Sequence, residues 1–482
     1  MLKGSVMQQA VYYGLGILLM KSASLVMLPI VTFYLTPAQY GALELLLSVS
    51  NFATLIVGFG LVDALYRFVG LNNDAQQERS IIANFITLAM IIGVFSVLLG
   101  FFFAPLILTF LTAEITLFDV QLIVIMFSLE GCIAIPLAWL RMKEQAFLFF
   151  ILTTSKVLVQ AIISWYLLSQ GFGITAILWG GLISIALLAS ALLIMQLRQT
   201  GLCLNLRLSK KILAYGFPLV LSGLAAFAVN GADWWMVASV SNEHDLGLYS
   251  LAKKIALISL ILMQPFSMWW FARRFQSLKQ PDGLSYIAKM SSLGIALILC
   301  FATLIYLSSG IVITYFIDVR YQQAIIYIPG LLLFCIIKQI AELANFGCYI
   351  EKKTWSVMYI DFTTAIVALL ACYLLSGYYQ VFGVIGGLVI AQTFRASAFY
   401  FISQKVLTLH YMWSPLLWLA LTCLGLIMFM SLTISFYLQV ITVCISLFIF
   451  AYFFYANGFI GDNKQLNTVI SNAQFKLKAM NK

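Results

Sequence analysis

Leu35–Gly41 (LTPAQYG) joins one long apolar segment to the next, and Ser241–Tyr249 (SNEHDLGLY) stands at the corresponding place later in the chain. Superposing Gly41 on Gly247 also aligns an arginine at the far end of each following apolar segment. The match is weak per residue, but it falls at equivalent places in the order of segments, which indicates an internal duplication. The polar stretch Arg198–Ile212 is then the linker between two halves.

The composition excludes a soluble protein. Of the 482 residues, 63% are hydrophobic and only 9% are charged, whereas soluble domains carry about 25% charged residues. Apolar segments recur from Val11 to Ala456 with short polar breaks, and they are much longer than the ~10-residue strands of a membrane β-barrel. The sequence therefore predicts an all-α polytopic membrane protein.

Fourteen transmembrane helices are expected, most of them as long as or longer than the ~20 residues that cross the hydrocarbon. The predicted spans are 11–35, 39–69, 80–111, 118–140, 147–168, 174–197, 213–240, 247–271, 286–317, 324–350, 356–376, 382–404, 413–432 and 437–455. Because each half contains six spans, an even number, the second half enters the membrane from the same side as the first. The halves are therefore expected to be parallel repeats about an axis along the membrane normal, with a cavity between them.

These spans predict a division of the chain into five parts. The expected parts are an N-terminal lobe at 1–197, a cytoplasmic linker at 198–212, a C-terminal lobe at 213–404, two further helices within 405–456 and a cytoplasmic tail at 457–482.

The basic residues predict the orientation. With the N-terminus inside, the inner loops and the tail collect the lysines and arginines, as the positive-inside rule requires. The outer loops hold one cation, Arg320, together with the carboxylates of Glu114, Asp119, Glu243, Asp245 and Asp318. The net charge of +10 then reflects topology and some attraction to anionic lipid, so nucleic acid is not an expected partner. We expect a multi-pass protein of the bacterial cytoplasmic (inner) membrane with both termini in the cytoplasm.

No feature of the sequence indicates an enzyme or a resident cofactor. The loops are too short for a catalytic or nucleotide-binding domain, and the sequence contains no phosphate-binding loop motif. The two histidines, His244 and His410, are too few for a zinc site. The eight cysteines include no C-x-x-C pair and are expected to be free thiols.

Five stretches resemble one family of transporters. In the first half they are Pro29–Gly41 (PIVTFYLTPAQYG) and Gly60–Phe68 (GLVDALYRF), and in the second half Tyr215–Leu224 (YGFPLVLSGL), Asn230–Asp233 (NGAD) and Leu246–Ala256 (LGLYSLAKKIA). Taken together in this order, they resemble the Wzx-type polysaccharide flippases of the multidrug/oligosaccharidyl-lipid/polysaccharide (MOP) superfamily. The last two predicted helices agree with that family in number alone.

The resemblance implies a MATE-like fold with fourteen helices in two lobes. It also implies that the substrate is an undecaprenyl-pyrophosphate-linked oligosaccharide, such as an O-antigen unit, carried from the cytoplasmic to the periplasmic leaflet. Transport is expected to proceed by alternating access, with H⁺ or Na⁺ as the coupling ion. Membrane lipids and the polysaccharide polymerase machinery are the expected partners.

Charged residues inside the predicted spans are the candidates for function. They comprise seven cations and six carboxylates: Lys21, Arg67, Lys156, Lys253, Lys254, Lys338, Arg395, Glu44, Asp63, Glu130, Asp233, Glu342 and Asp361. A charge at the centre of a membrane helix costs about 2.5–3.5 kcal/mol on insertion scales. Most of these residues are therefore expected to face protein or an aqueous cavity.

Lys21 and Arg395 are the first candidates for contact with a pyrophosphate, whose oxygens bind strongly to ammonium and guanidinium groups. Each lies near mid-span without an acid three or four residues away on its own helix. The remaining substrate-binding candidates are Lys156, Lys338, Lys253 and Asn230. The alternative role is structural: Lys338 and Glu342 can pair within one helix, and Arg395 can pair with an acid on another helix.

Coupling requires a group whose protonation or sodium occupancy differs between the inward-open and outward-open states. The candidates are Asp233, Glu130 and Glu342, each of which can instead form a structural ion pair. The tryptophan pairs at 234–235 and 269–270 could stack against sugars, although such pairs near membrane edges more often anchor the protein at the interface.

Other functions remain open. A drug exporter of the same superfamily is expected to have an acidic cavity, and a lipid II exporter to have an arginine signature in its first helix that this chain lacks. A membrane polymerase or ligase is less favoured because such enzymes carry a large outer loop with catalytic residues. The flippase hypothesis therefore stands first.

The predicted topology can be tested by labelling single cysteines introduced at Thr200 and Asn242. An impermeant thiol reagent added outside should modify the residue at 242 and not the one at 200, because the positive-inside rule places Arg198 and its neighbours in the cytoplasm. The reverse labelling pattern would overturn both the topology and the repeat assignment.

Overall fold

A computed structural model describes residues 27–70, 74–278, 282–350, 355–432 and 436–457. Within these ranges the regular elements are helices. They are α1 (Leu28–Tyr34), α2 (Pro37–Gly58), α3 (Leu61–Gly70), α4 (Ala75–Leu108), α5 (Leu117–Met142), α6 (Ala146–Ser169), α7 (Gly173–Thr200), α8 (Leu206–Asn230), α9 (Asp233–Val240), α10 (Glu243–Ser277), α11 (Gly283–Phe316), a 3-10 helix (Val319–Tyr327), α12 (Ile328–Ala344), α13 (Phe346–Ile350), α14 (Trp355–Val406), α15 (Trp413–Leu432) and α16 (Phe436–Ala456).

The described residues form twelve helical segments that are long and apolar enough to cross a membrane. One of them lies within α14, which bends at Gln380, where φ is 48° and ψ is −123°. This segment therefore covers two predicted spans, 356–376 and 382–404. The predicted span 11–35 falls mostly outside the described residues. The prediction of an all-α polytopic fold is confirmed.

The boundary between α1 and α2 is encoded locally in the stretch that opened the sequence. Thr36 is extended and caps α2: its hydroxyl accepts a hydrogen bond from the amide of Gln39, and the Gln39 side chain accepts one from the amide of Thr36. Pro37 occupies the first turn of α2, where its missing N–H costs nothing. This reciprocal cap fixes the direction in which α2 leaves the turn.

The two repeats meet at the end of the bundle that contains Pro37, which we call the outer end, following the orientation predicted from the basic residues. Gly41 of α2 and Gly247 of α10 lie so close that a Cβ atom on Gly247 would collide with the carbonyl of Pro37. A Cβ atom on Gly41 would lie 2.6 Å from the amide nitrogen of Gly247. The two glycines that align the internal repeats therefore touch each other across the halves.

An ion pair lies one to two turns from this backbone contact. The Lys254 ammonium of α10 is 2.5 Å from Oε1 of Glu44 on α2, and it lies 5.4 Å from the centre of the Tyr40 ring. Glu44 is buried and the Lys254 side chain is 26% exposed, so the pair is partly shielded from solvent. We call the contacts of Gly41 with Gly247 and of Glu44 with Lys254 the outer gate.

Arg320, the single cation of the predicted outer loops, also bridges the two halves. Its guanidinium is 2.7 Å from Oδ1 of Asp318 and donates a hydrogen bond of 3.1 Å to the carbonyl of Phe33. The hydrogen bond from the Arg320 side chain holds the pKa of Asp318 below its ordinary value, so the pair stays ionised in neutral solution. The neighbouring Tyr321 donates to the carbonyl of Leu35 over 3.1 Å.

The apolar core follows the same division. At the outer end one large cluster combines Tyr40 of the first half with Leu246 and Tyr249 of the second. Elsewhere, one cluster forms around Trp270 in the second half, and another forms around Phe85 of the first half and includes Ile212, with Tyr215 packed against it. Helices α15 and α16 pack on the side of α11. The largest apolar contact between the two halves therefore lies at the outer end, and a second one joins Phe59 and Phe68 of the first half to Gly216 and Tyr215 of the second.

The glycine contact predicts a site-specific sensitivity. Gly247→Ala should lower the melting temperature of the purified protein, because the new methyl group forces α2 away from α10 at a cost of about 1–3 kcal/mol. The matched control is Gly310→Ala in α11, where an added Cβ has no heavy atom within 4 Å. Equal melting temperatures for the two variants would show that the close approach does not stabilise the protein.

Candidate transport site

The site is built around an interruption of the span predicted at 213–240. Helix α8 ends at Asn230 and α9 begins at Asp233, so the helical hydrogen bonding stops part-way through this hydrophobic segment. Carbonyl groups freed in this way need partners from protein or from a water-filled cavity. The carbonyl of Asn230 lies 3.4 Å from the ammonium group of Lys253, which supplies such a partner.

Asp233 lies at the centre of a buried charged cluster. It is 1% exposed and Lys253 is 4% exposed, and the Lys253 ammonium is 2.5 Å from Oδ2 of Asp233. The hydroxyl of Tyr249 donates a hydrogen bond to the same oxygen. Tyr249 and Lys253 are four residues apart on α10 and so share one face of the helix. The pairing offsets part of the cost of burying two charges.

Two further features distinguish this cluster. The Lys253 ammonium lies 3.3 Å from the centre of the Trp234 ring, which adds a cation–π contact. The second carboxylate oxygen of Asp233, Oδ1, is buried and has no hydrogen-bond partner among the described residues. Asp233 therefore keeps one unused acceptor atom away from bulk solvent.

Lys338 on α12 reaches the other side of the same helix break. Its ammonium lies 2.5 Å from Oδ1 of Asn230, whose side chain is exposed. Lys338 has no ion-pair partner among the described residues, and its expected pairing with Glu342 on the same helix is not observed. Lys338 therefore contacts an exposed neutral amide group rather than a carboxylate.

Arg395 is paired with acids from elsewhere in the chain. Its Nη1 is 2.8 Å from Oε1 of Glu342 on α12, and its Nε is 2.8 Å from Oδ1 of Asp361, which lies before the bend in α14. The Arg395 side chain is 15% exposed, whereas those of Glu342 and Asp361 are 33% and 40% exposed. The cluster carries one formal negative charge and is open to solvent on its acidic side.

The remaining candidate residues lie apart from this site. Lys156 on α6 is half-buried beside a cavity of about 140 Å³ between α6 and α7, with Ser155 and Ser184 among its lining residues. Glu130 on α5 is also half-buried. Lys21 lies outside the described residues. The structure thus brings together Asn230, Asp233, Lys253 and Lys338. Glu342 lies one turn further along α12, where it contacts Arg395 of α14. Lys156 and Glu130 lie in the other half.

Sequence reasoning missed the role of the tryptophans on α9. Trp234 donates from Nε1 to the hydroxyl of Ser250 over 3.0 Å, and Trp235 donates to the hydroxyl of Ser48 over 2.6 Å. Trp235 also packs against Phe52 of the first half, with ring centres 5.3 Å apart. Helix α9 therefore connects the Asp233 cluster to both halves.

The chain was compared with protein families, curated sequences and solved structures. A family model described as "Polysaccharide biosynthesis protein" matches residues 30–267, close to half of the chain. No curated protein sequence matches the chain.

Solved structures with a similar fold include the lipid II flippase MurJ in an inward closed conformation, with a TM-score of 0.70 and 15% identity over 93% of this chain and 99% of that one. An inward-facing multidrug resistance MATE family transporter of the MOP superfamily gives a TM-score of 0.63 at 15% identity, over 80% of this chain and 94% of that one. A mutant of the Vibrio cholerae MATE transporter VcmN gives a TM-score of 0.56 at 14% identity, over 83% of this chain and 95% of that one.

The chain therefore has the fold of solved MOP-superfamily transporters, and the expected MATE-like fold is confirmed. Within that class, residues 30–267 are similar to the polysaccharide biosynthesis proteins.

The pairing of Arg395 predicts a charge-specific effect on stability. Arg395→Gln should lower the melting temperature of the purified protein, because two neighbouring carboxylates lose their shared cation, at a cost on the order of 1–3 kcal/mol for partly exposed groups. Adding Glu342→Gln should recover part of the loss by removing one of the two repelling charges. Arg79→Gln, at an exposed arginine, is the control. A double variant less stable than Arg395→Gln alone would argue against the pairing.

Proposed function

We propose that this chain is a flippase for lipid-linked oligosaccharides whose lipid carrier bears a pyrophosphate. It moves its substrate from the cytoplasmic to the periplasmic leaflet of the bacterial inner membrane by alternating access, with both termini in the cytoplasm. The observation that carries the proposal is Lys338, a cation without an ion-pair partner among the described residues, held beside the exposed Asn230 at a helix break.

The chemistry of the helix break suits an anionic group. A pyrophosphate oxygen can replace the Asn230 amide oxygen as the acceptor for the Lys338 ammonium, and charge-assisted hydrogen bonds are among the strongest polar contacts. The amide of Asn230 can then donate to another phosphate oxygen or to a sugar hydroxyl. Lys338 and Asn230 are therefore the first contacts we assign to the substrate head group.

The other cations have secondary places in this proposal. Arg395 already holds two carboxylates, so it would have to release one of them before it could bind phosphate. Lys253 is committed to Asp233. Lys21 and Lys156 remain candidates for contact with the substrate from the first half of the chain.

Alternating access is consistent with where the halves touch. The outer gate and the shared apolar cluster hold the outer ends of α2 and α10 together. Opening that end while closing the other would expose the helix break to the outer leaflet. The rocking would be driven by an ion, H⁺ or Na⁺, for which Asp233, Glu130 and Glu342 are the candidate sites. Polysaccharide polymerase machinery is the proposed downstream partner.

The substrate contact can be tested by measuring how purified protein in nanodiscs binds undecaprenyl pyrophosphate. Lys338→Gln should weaken binding roughly tenfold or more, since one charge-assisted hydrogen bond contributes about 1.5–3 kcal/mol. Lys338→Arg should retain part of the affinity because it keeps the charge. Lys143→Gln, which removes a cation paired with Glu78 away from the helix break, should bind as the wild type does.

Three outcomes would contradict this function. Unchanged binding by Lys338→Gln would remove the proposed head-group contact. Preferential binding of lipophilic cations over undecaprenyl pyrophosphate by the wild type would favour a drug exporter. Stronger binding of lipid II than of other pyrophosphate-linked saccharides would favour a lipid II exporter, which shares the pyrophosphate contact and differs in the sugar.

A further inference from the structure

Asp233 has the geometry of a group that gains and loses a proton. Its carboxylate is buried, and one oxygen, Oδ2, receives both the Lys253 ammonium at 2.5 Å and the hydroxyl of Tyr249. The other oxygen, Oδ1, has no hydrogen-bond partner among the described residues. An unpaired acceptor in a buried site is costly. The arrangement therefore leaves a specific atom on which a proton can be bound.

The same geometry disfavours a metal ion. The Lys253 ammonium already occupies the place beside Asp233 that a metal cation would take. It also contacts the carbonyl of Asn230 and the face of Trp234. A sodium ion would have to enter a buried site beside an ammonium group, where like charges repel strongly. Within the described ranges no group of three or more His, Cys, Asp or Glu side chains could hold a metal.

The surroundings of the pair contain few other groups that titrate. Helix α10 contributes Tyr249 and Lys253, while Cys335 of α12 and Cys372 of α14 lie close enough to interact electrostatically with the cluster. Glu44 of α2 and Lys338 of α12 interact with Lys253 from further away. Asp233 is therefore the carboxylate in direct contact with Lys253, and Glu44 is the other carboxylate that interacts with it electrostatically.

Neighbouring residues connect this cluster to the outer gate. Lys253 binds Asp233 within its own half, whereas the next residue, Lys254, binds Glu44 across the halves. On α9, Trp234 bonds to Ser250 of α10 and Trp235 bonds to Ser48 of α2. A shift of Lys253 relative to Asp233 is thus transmitted to the residues that hold α2 and α10 together.

We propose that Asp233 is the proton-binding site of this transporter and that its protonation opens the outer gate. This inference rests on the proposed transport function, since it names the coupling ion and its site. The proton adds to the Asp233 carboxylate and neutralises it. Lys253 is left as a buried cation without a counter-charge, so it turns towards Glu44 and competes with Lys254 for that carboxylate. Release of the proton restores the Asp233–Lys253 pair and the closed gate.

The experiment measures the distance between spin labels at Glu114→Cys and Gln322→Cys, two exposed outer positions on opposite halves. The exposed Cys203 and Cys444 are replaced by serine beforehand. The full chain is reconstituted in nanodiscs without substrate. Acidification should shift the population to the longer distance. Replacing choline with sodium at constant pH should leave the distribution unchanged.

Variants test the assignment to Asp233. Asp233→Asn, which imitates the protonated acid, should show the long distance at every pH. The matched control is Asp119→Asn, because Asp119 is a buried carboxylate near the same end that bonds to Thr116 and Thr175 rather than to a cation. It should keep the pH response of the unsubstituted spin-labelled protein.

A pH-independent distance in the labelled protein would overturn the proposal, as would a sodium-dependent shift or a normal pH response in Asp233→Asn. The distances are recorded without lipid substrate. They therefore test the assignment of the proton-binding site to Asp233 alone. Binding of undecaprenyl pyrophosphate is a separate test, which concerns the proposed function.

Discussion

The cost of placing a charge within a hydrophobic segment organises much of this protein. Three buried or half-buried ion clusters reduce that cost: Asp233 with Lys253, Glu44 with Lys254, and Arg395 with Glu342 and Asp361. Each of them joins different helices or the two arms of a bent helix. The pairs therefore specify which helices are neighbours, in addition to neutralising the charges. Removing one partner affects the position of a whole helix as well as a local contact.

The hydrophobic pattern predicted the spans well because a long apolar segment has few alternatives to a membrane helix. The sequence identified Gly41 and Gly247 as equivalent positions of the repeats, but their contact is seen only in the structure. The partners of Arg395 could not be predicted in the same way. On-helix spacing reports only neighbours three or four residues apart, whereas Glu342 and Asp361 reach Arg395 through tertiary packing. For the same reason, helical spacing offered Lys338 and Glu342 as a possible pair, whereas in the structure Lys338 contacts Asn230 and Glu342 contacts Arg395.

The internal repeat has diverged where the two halves meet. With Gly41 superposed on Gly247, Glu44 corresponds to Ser250, and Ser48 corresponds to Lys254. Glu44 and Lys254 form the ion pair of the outer gate, while the two serines accept hydrogen bonds from the adjacent Trp234 and Trp235. At each of the two equivalent positions, one repeat thus has a charged residue of the ion pair and the other has a serine that bonds to α9. The duplicated backbone is symmetric, but its polar contacts are not.

The close approach of Gly41 and Gly247 also determines what kind of barrier the closed end presents. At this point the contact consists of backbone against backbone, because neither glycine has a side chain. Rotation of a side chain therefore cannot loosen it, and the contact yields only when the two helices move apart as bodies.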